Sequence, residues 1–453
     1  MLTSSCKVKL QIISTTFLGM LALQLTSCLR PLPPTRTTFQ AQPEVRVGLI
    51  LGRATIHLQT TEAFALRDAA GMTLAQNESA GNWTLRVAAT ERSTGKRMLE
   101  LLHDATKKRL LLPSGAELIA DRIGVKESTG GASAFPNYLG RMRFIIKSDT
   151  AIAVINILPV EKYLSGVVPA EMSPNFPFDA LKAQAIASRS EVLHKLAKPV
   201  PNQDYDICAD VGCQVYAGLI KKSKDVDRAI RETQGLVLKV GEEVVTAPYS
   251  SVCGGHTENN ESVWSGNARS HLRGVYDGKR APDFARQLMN NEEAVRQWLN
   301  TMPSAHCLIG SDVTTRTFDY ARGYFRWEVQ STAQELAAQL AKKTGENFGE
   351  VLELTPLKRG ISGRITKLRV VGSKKTFDIN GELAIRQALS AQGLPSAMFV
   401  VNKEGAKFIL RGGGRGHGVG MCQVGAAMMA LRGKSYDAIL RHYYADVRLT
   451  RVY

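Results

Sequence analysis

Val167-Val168-Pro169-Ala170-Glu171-Met172-Ser173-Pro174, running on through Phe178-Asp179-Ala180-Leu181-Lys182-Ala183-Gln184-Ala185-Ile186-Ala187-Ser188-Arg189, is the stretch around which the chain is organised. Its first part reads as a proline-broken turn, with one carboxylate, Glu171, held beside two chain-stiffening prolines. Its second part reads as a helix: Leu181, Ala185, Ser188, Val192 and Leu196 recur at three- and four-residue spacing, among residues that are mostly good helix formers. A rigid turn packed on such a helix is a sound mount for a catalytic acid, because groups on fixed elements keep their geometry. The same pattern also describes a plain helix start, where the dipole welcomes negative charge.

Outward from this stretch the chain divides by texture. Residues 1–28 have the layout of a secretory signal: Lys7 and Lys9, an apolar run from Leu10 to Leu25, then Leu25-Thr26-Ser27-Cys28. Those last four residues resemble a bacterial lipoprotein box, which would make Cys28 the lipidated first residue of the mature protein. Residues 29–44, with Pro31, Pro33 and Pro34, read as a flexible tether. Residues 45–160 carry short alternating apolar runs such as Ala54-Thr55-Ile56-His57-Leu58, separated by turn residues, and read as a β-rich region. Residues 161–282 form a core with Glu171, 283–345 a more helical lobe, and 346–453 a C-terminal part of the core. The expected class is α+β, a β-rich N-terminal part joined to an α/β core with a central groove.

The 453 residues carry 58 basic and 41 acidic side chains, a formal charge of +17, which directs the chain toward anionic polymers or membrane surfaces. Nucleic acid is disfavoured, since there is no helix-turn-helix, zinc-finger or RNA-binding signature. Beyond Cys6 and Cys28 the cysteines are Cys208, Cys213, Cys253, Cys307 and Cys422. Export permits disulfides, and Cys208-Ala-Asp-Val-Gly-Cys213 is the nearest pair. The odd count leaves at least one thiol free or metal-bound.

Two further loops carry candidate chemistry. Arg411-Gly-Gly-Gly-Arg-Gly-His417-Gly-Val-Gly-Met421 follows a strand and leads into a helix. Its glycines let a backbone approach a ligand closely, and His417 has little there to pack on, which favours an exposed functional histidine. Gln423 faces the same opening from the first turn of the helix. Cys253-Gly-Gly-His256 offers two zinc ligands, but no second pair stands at the usual spacing. The expectation is a turn with a buried thiol and no required cofactor.

In these segments the chain resembles the stage II sporulation protein D family, which includes amidase-enhancer proteins. Pro-Ala-Glu-Met followed by Ala-Leu-Lys-Ala-Gln-Ala-Ile-Ala-Ser-Arg carries the likeness. Ser251–Glu258, Gly414–Met421 with Gln423 and Gly425-Ala426, and Ile439-Leu-Arg-His-Tyr-Tyr444 follow in the same order. Two departures stand out: Gly416 where the family often has an aromatic, and Cys253 and His256 where it commonly has Ser or Thr. The resemblance implies a lytic transglycosylase acting on denuded peptidoglycan strands, with Glu171 at the position of the catalytic acid. One carboxylate suffices for that reaction, whereas ordinary glycosidases need two. Burial beside Met172 and Pro169 should raise the Glu171 pKa. Arg189, His417, Gln423 and Tyr443 are the expected holders of sugar hydroxyls or developing charge. Tyr249, Trp264 and Tyr444 are the expected stacking surfaces. The competing expectation is a non-catalytic enhancer that holds glycan and recruits a cell-wall amidase. In both cases the expected partners are glycan strands, an amidase and, through Cys28, a membrane, with the protein facing the periplasm or cell wall.

Overall fold

The computed structural model describes residues 39–453 apart from 89–95, 128–134, 202, 265 and 289–290. Cys28 and the expected signal segment lie outside the described residues. The fold is α+β. Its N-terminal part is a pair of facing sheets, one of seven strands and one of six. The alternation in Thr55–Thr60 buries Ile56 and Leu58 and turns their neighbours outward. Phe64, Trp83, Leu101 and Phe144 fill the space between the sheets.

One strand pair carries the chain from this sandwich into the helical core. Glu44–Arg53 runs antiparallel to Ala151–Pro159, with Val45 opposite Leu158 at one end and Ile50 opposite Val154 nearer the other. Ile50 and Val154 belong to the sandwich core, whereas Val45 and Leu158 belong to the helical one. Ala151–Pro159 is buried on both faces, and it therefore reads as a continuous apolar run rather than an alternation.

The next residue begins helix α1, Val160–Glu171, and α2 follows as Phe178–Ala197. Val167–Glu171 is therefore helical rather than a turn. Pro169 sits inside the last turn of α1, and Met172 N–H closes that turn on the Val168 carbonyl at 2.9 Å. The break comes at Met172–Pro177, where Pro174 and Pro177 cannot continue a helical hydrogen-bond ladder. α2 is buried on almost every side, against α1, Lys224–Glu232, Gln423–Leu431 and Tyr436–Tyr443.

Residues 327–412 build a lobe of two three-stranded sheets and the helices Ala333–Thr344 and Glu382–Leu389 around Leu336, Leu368, Ile385 and Phe399. Trp327–Thr332 pairs with Lys407–Gly412, so one sheet joins residues from both sides of position 345. The lobe thus leaves the core and returns to it at one place. Among the described residues no helix is long and apolar enough to cross a membrane.

Candidate functional site

Glu171 is the last residue of α1 and lines a cleft of about 730 Å³. The position has consequences for its charge. A helix C-terminus carries the negative end of the dipole and disfavours a carboxylate, the reverse of the helix-start reading. Burial raises the Glu171 pKa above its ordinary 4.5; the Val215 N–H and the nearby Lys221 oppose the shift without cancelling it. That N–H donates to Oε1 at 2.6 Å. It is held in place by the loop before it, where Cys208 and Cys213 are disulfide-bonded with Cα atoms 5.6 Å apart. The loop also presents Gln214 to the cleft.

Behind Glu171 runs a chain of buried amides and hydroxyls. Gln423 Nε2 donates to the Glu171 carbonyl at 2.9 Å and to Gln184 Oε1 at 3.1 Å. Gln184 Nε2 in turn donates to Ser188 Oγ at 3.0 Å, and the Tyr249 hydroxyl donates to Gln214 Oε1 at 3.0 Å. Burial and the Glu171 charge hold the Tyr249 phenol well above its usual range, so it stays neutral. Gln423 is 6% exposed; it supports the backbone of Glu171 and offers little surface to a ligand.

The glycine loop closes one wall. Gly418 has φ +81°, and a Cβ there would strike the Arg364 guanidinium; at Gly420, φ +71°, it would strike the Pro248 carbonyl. Only glycine allows the loop to lie this flat on the core. His417 lines the cleft with its Nδ1 accepting from Val419 N–H at 3.0 Å. Burial, followed by the Arg364 and Arg386 cations, pushes its pKa down to about 3. His417 is therefore neutral at neutral pH, and it is partly buried rather than the exposed histidine that its glycine-rich surroundings suggest. Its ring lies 4.9 Å from that of Trp264, which is 43% exposed and lines the same cleft.

Besides Gln423, which does not line the cleft, three expected site residues do not reach it. Arg189 is 0% exposed. Its guanidinium makes a two-pronged bond to Glu161, at 2.9 and 2.7 Å, and a third bond to the Leu236 carbonyl at 3.1 Å. It clamps the core and cannot touch sugar. Tyr443 is buried with its hydroxyl on Asp277 Oδ1 at 2.6 Å, and Tyr444 is buried with its hydroxyl on the Pro248 carbonyl at 2.8 Å. The Cys253–His256 pair does not form a ligand set either. His256 Nδ1 bonds the Thr257 carbonyl at 2.8 Å, while Cys253 groups with Asp277, Cys307 and Cys422.

Sequence reasoning missed two carboxylates of the cleft wall, Glu191 and Glu382. Glu191 Oε1 accepts from Thr246 Oγ1 at 2.5 Å and Ala247 N–H at 2.6 Å, and Glu382 faces Arg386 at 3.3 Å. Both are acceptors already supplied with donors, which fits them poorly to deliver a proton. Glu191 lies two residues beyond the motif, and nothing in a helix buried on all sides marks which residue faces a cavity. A second hollow, about 460 Å³, lies on the 327–412 lobe between Ala338 and Phe348; its lining contains a single acid, Glu346, whose carboxylate is already paired with Lys375 at 2.5 Å.

This arrangement sits where sequence comparison finds a family. A model described as stage II sporulation protein matches residues 148–239, which hold α1, α2 and the disulfide loop. A second, described as a domain of unknown function (DUF8618), matches 258–420. The chain is 30% identical over 310 residues to an uncharacterized protein of Brachyspira hyodysenteriae, covering 68% of this chain and 71% of the other. It is 29% identical to stage II sporulation protein D of Bacillus amyloliquefaciens, over 65% of this chain and 74% of that one. The amidase enhancer of Bacillus subtilis is 28% identical over 63% of this chain, which spans 40% of the enhancer's length. The protein belongs to the stage II sporulation protein D and amidase-enhancer family.

Proposed function

We propose that this protein cleaves denuded peptidoglycan glycan strands as a lytic transglycosylase, with Glu171 as general acid and then general base. The observation that carries the reading is the placement of Glu171: a partly buried carboxyl at a helix C-terminus, facing a cleft, with its pKa raised. A raised pKa keeps the proton available for transfer. Glu171 protonates the glycosidic oxygen as the bond from that oxygen to C1 breaks. The resulting carboxylate, steadied by the Val215 N–H, takes the proton from the sugar's own C6 hydroxyl as O6 bonds to C1. Glu171 ends protonated, as it began, and no water is consumed. The product is a 1,6-anhydro end. Because the nucleophile belongs to the substrate, orientation replaces a second catalytic carboxylate. Trp264 and His417 offer a partly exposed ring platform for a sugar face, and Tyr249 lines the same cleft with a neutral hydroxyl.

The proposed setting is a membrane surface that faces the periplasm or cell wall. The chain is exported, lipidated at Cys28 and held near glycan by its positive charge, and it works beside a cell-wall amidase that strips the stem peptides. The amidase-enhancer relative supports that partnership.

The test pairs Glu171→Gln with wild type on denuded strands, measuring anhydro products and glycan pull-down together. The amide keeps size and hydrogen-bonding shape but has no proton to give, so product formation should fall by about 10²–10⁴-fold with binding retained. Undiminished cleavage by the variant refutes the assignment. Wild type that binds glycan and releases no product makes the protein an enhancer without catalysis.

A further inference from the structure

Behind the cleft wall three thiols and a carboxylate converge. Cys253 follows the strand Tyr249–Ser250, and Cys422 ends the strand Met421–Cys422 that runs parallel to it. Asp277 and Cys307 arrive from the segment that leads out toward the lobe. All four are buried, none more than 1% exposed, and none of them lines the cleft. One donor atom from each lies within 4.8 Å of the others. Cys253 Sγ is 3.4 Å from Cys307 Sγ and 3.2 Å from Asp277 Oδ2. In a tetrahedral site with Zn–S near 2.3 Å and Zn–O near 2.0 Å, neighbouring ligand atoms stand about 3.5–3.8 Å apart, so the cluster is already drawn to that scale.

The surroundings suit anionic ligands. Cys422 Sγ accepts from the backbone N–H of Cys253 at 3.2 Å and of Gly425 at 3.4 Å. Asp277 Oδ2 accepts from Cys307 N–H at 3.0 Å, and Oδ1 is held by the Tyr443 hydroxyl at 2.6 Å. Such outer partners are what orient and hold the ligands of a metal site. A fully buried carboxylate also calls for a cation. The nearest basic nitrogen, His442 Nε2, stands 3.7 Å from Oδ1, beyond hydrogen-bond reach.

We propose that Cys253, Cys307, Cys422 and Asp277 bind one Zn²⁺ in a closed, structural site. Four protein ligands leave no position for substrate, and three thiolates favour zinc over hard cations. The site would staple the Cys307 segment to the core. It would also fix the start of the helix Gln423–Leu431, whose first residue supports Glu171. Binding replaces the thiol protons, which pass to solvent. The inference stands apart from the proposed reaction, because it uses no residue of the cleft.

The test is metal analysis of the purified full chain, followed by replacement of the zinc with Co²⁺. The expected result is one zinc per chain and, for the cobalt form, the near-ultraviolet thiolate charge-transfer bands and strong visible bands of a tetrahedral site. Cys307→Ser should lose at least about nine-tenths of the metal. Asp277→Asn, which keeps the shape of the side chain, should shift the visible bands while the thiolate bands remain, and it covers the case in which the serine variant fails to fold. Zinc below about a tenth of an equivalent overturns the proposal, as does a disulfide joining Cys253 to Cys307 in mass mapping. So does cobalt with the spectrum of an all-oxygen site.

Discussion

Helix α1 carries a glutamate at each end, and the two are treated in opposite ways. Glu161, in the first turn, is answered completely: both prongs of Arg189, the Gly235 N–H at 3.2 Å and the Tyr453 hydroxyl at 2.7 Å meet its carboxylate. The dipole there also favours the anion. Glu171, at the far end, receives the Val215 N–H, faces the adverse end of the dipole and opens on a cleft. One carboxyl is fully partnered and structural, while the other is short of partners and, in the proposed reaction, gives up and regains its proton. In that reaction, the reactivity of Glu171 comes from withholding what the core supplies to Glu161.

The largest effect is expected at the satisfied end. Arg189→Ala removes the cation from a largely buried ion pair and leaves Glu161 with the Gly235 N–H and the Tyr453 hydroxyl, which should cost about 3–5 kcal/mol in denaturant unfolding. A variant within about 1 kcal/mol of wild type would mean that the clamp is not structural, and the comparison would lose one of its halves.

Next comes the support for the reactive end. Gln423→Ala removes the bond to the Glu171 carbonyl and strands Gln184 Oε1, a loss of about 1–3 kcal/mol. Because Gln423 positions Glu171 and does not touch substrate, kcat should fall with KM nearly unchanged. A rise in KM alone would show that Gln423 contacts glycan instead.

A smaller effect sharpens the contrast in sign. The folded-state pKa of Glu171 lies above 4.5, so the folded protein holds that proton more tightly than the unfolded chain does. The stability from this group is complete below 4.5 and is lost as pH rises through the folded pKa. Glu171→Gln should therefore be more stable than wild type at neutral pH, by about 0.5–2 kcal/mol, and the gap should close near pH 4. A gap that does not change with pH would mean that the carboxyl is not strained by its site.

Particular residues show how far the sequence could be read. Glu171 and His417 stand out because prolines and glycines, which dictate backbone shape, surround them. The α+β class is legible from the alternating strands and the helical spacing of α2. Arg189 misleads because α2 is buried almost all round, so periodicity cannot say which of its faces meets a cavity. Reading Val167–Glu171 as a turn gave too much weight to Pro169, which packed neighbours hold inside a helix. Cys307 is 54 residues from Cys253 with no motif between them, and only the folded chain brings the thiols together.

The central claim, that a single acid drives a reaction in which no water takes part, is tested most directly by cleaving denuded strands in oxygen-labelled water and weighing the new ends. The account predicts anhydro ends, one water lighter than a reducing sugar, carrying no label, and absent with Glu171→Gln. Labelled reducing ends from the wild type would contradict it, and would point to hydrolysis with a second carboxylate, Glu191 or Glu382, activating the water.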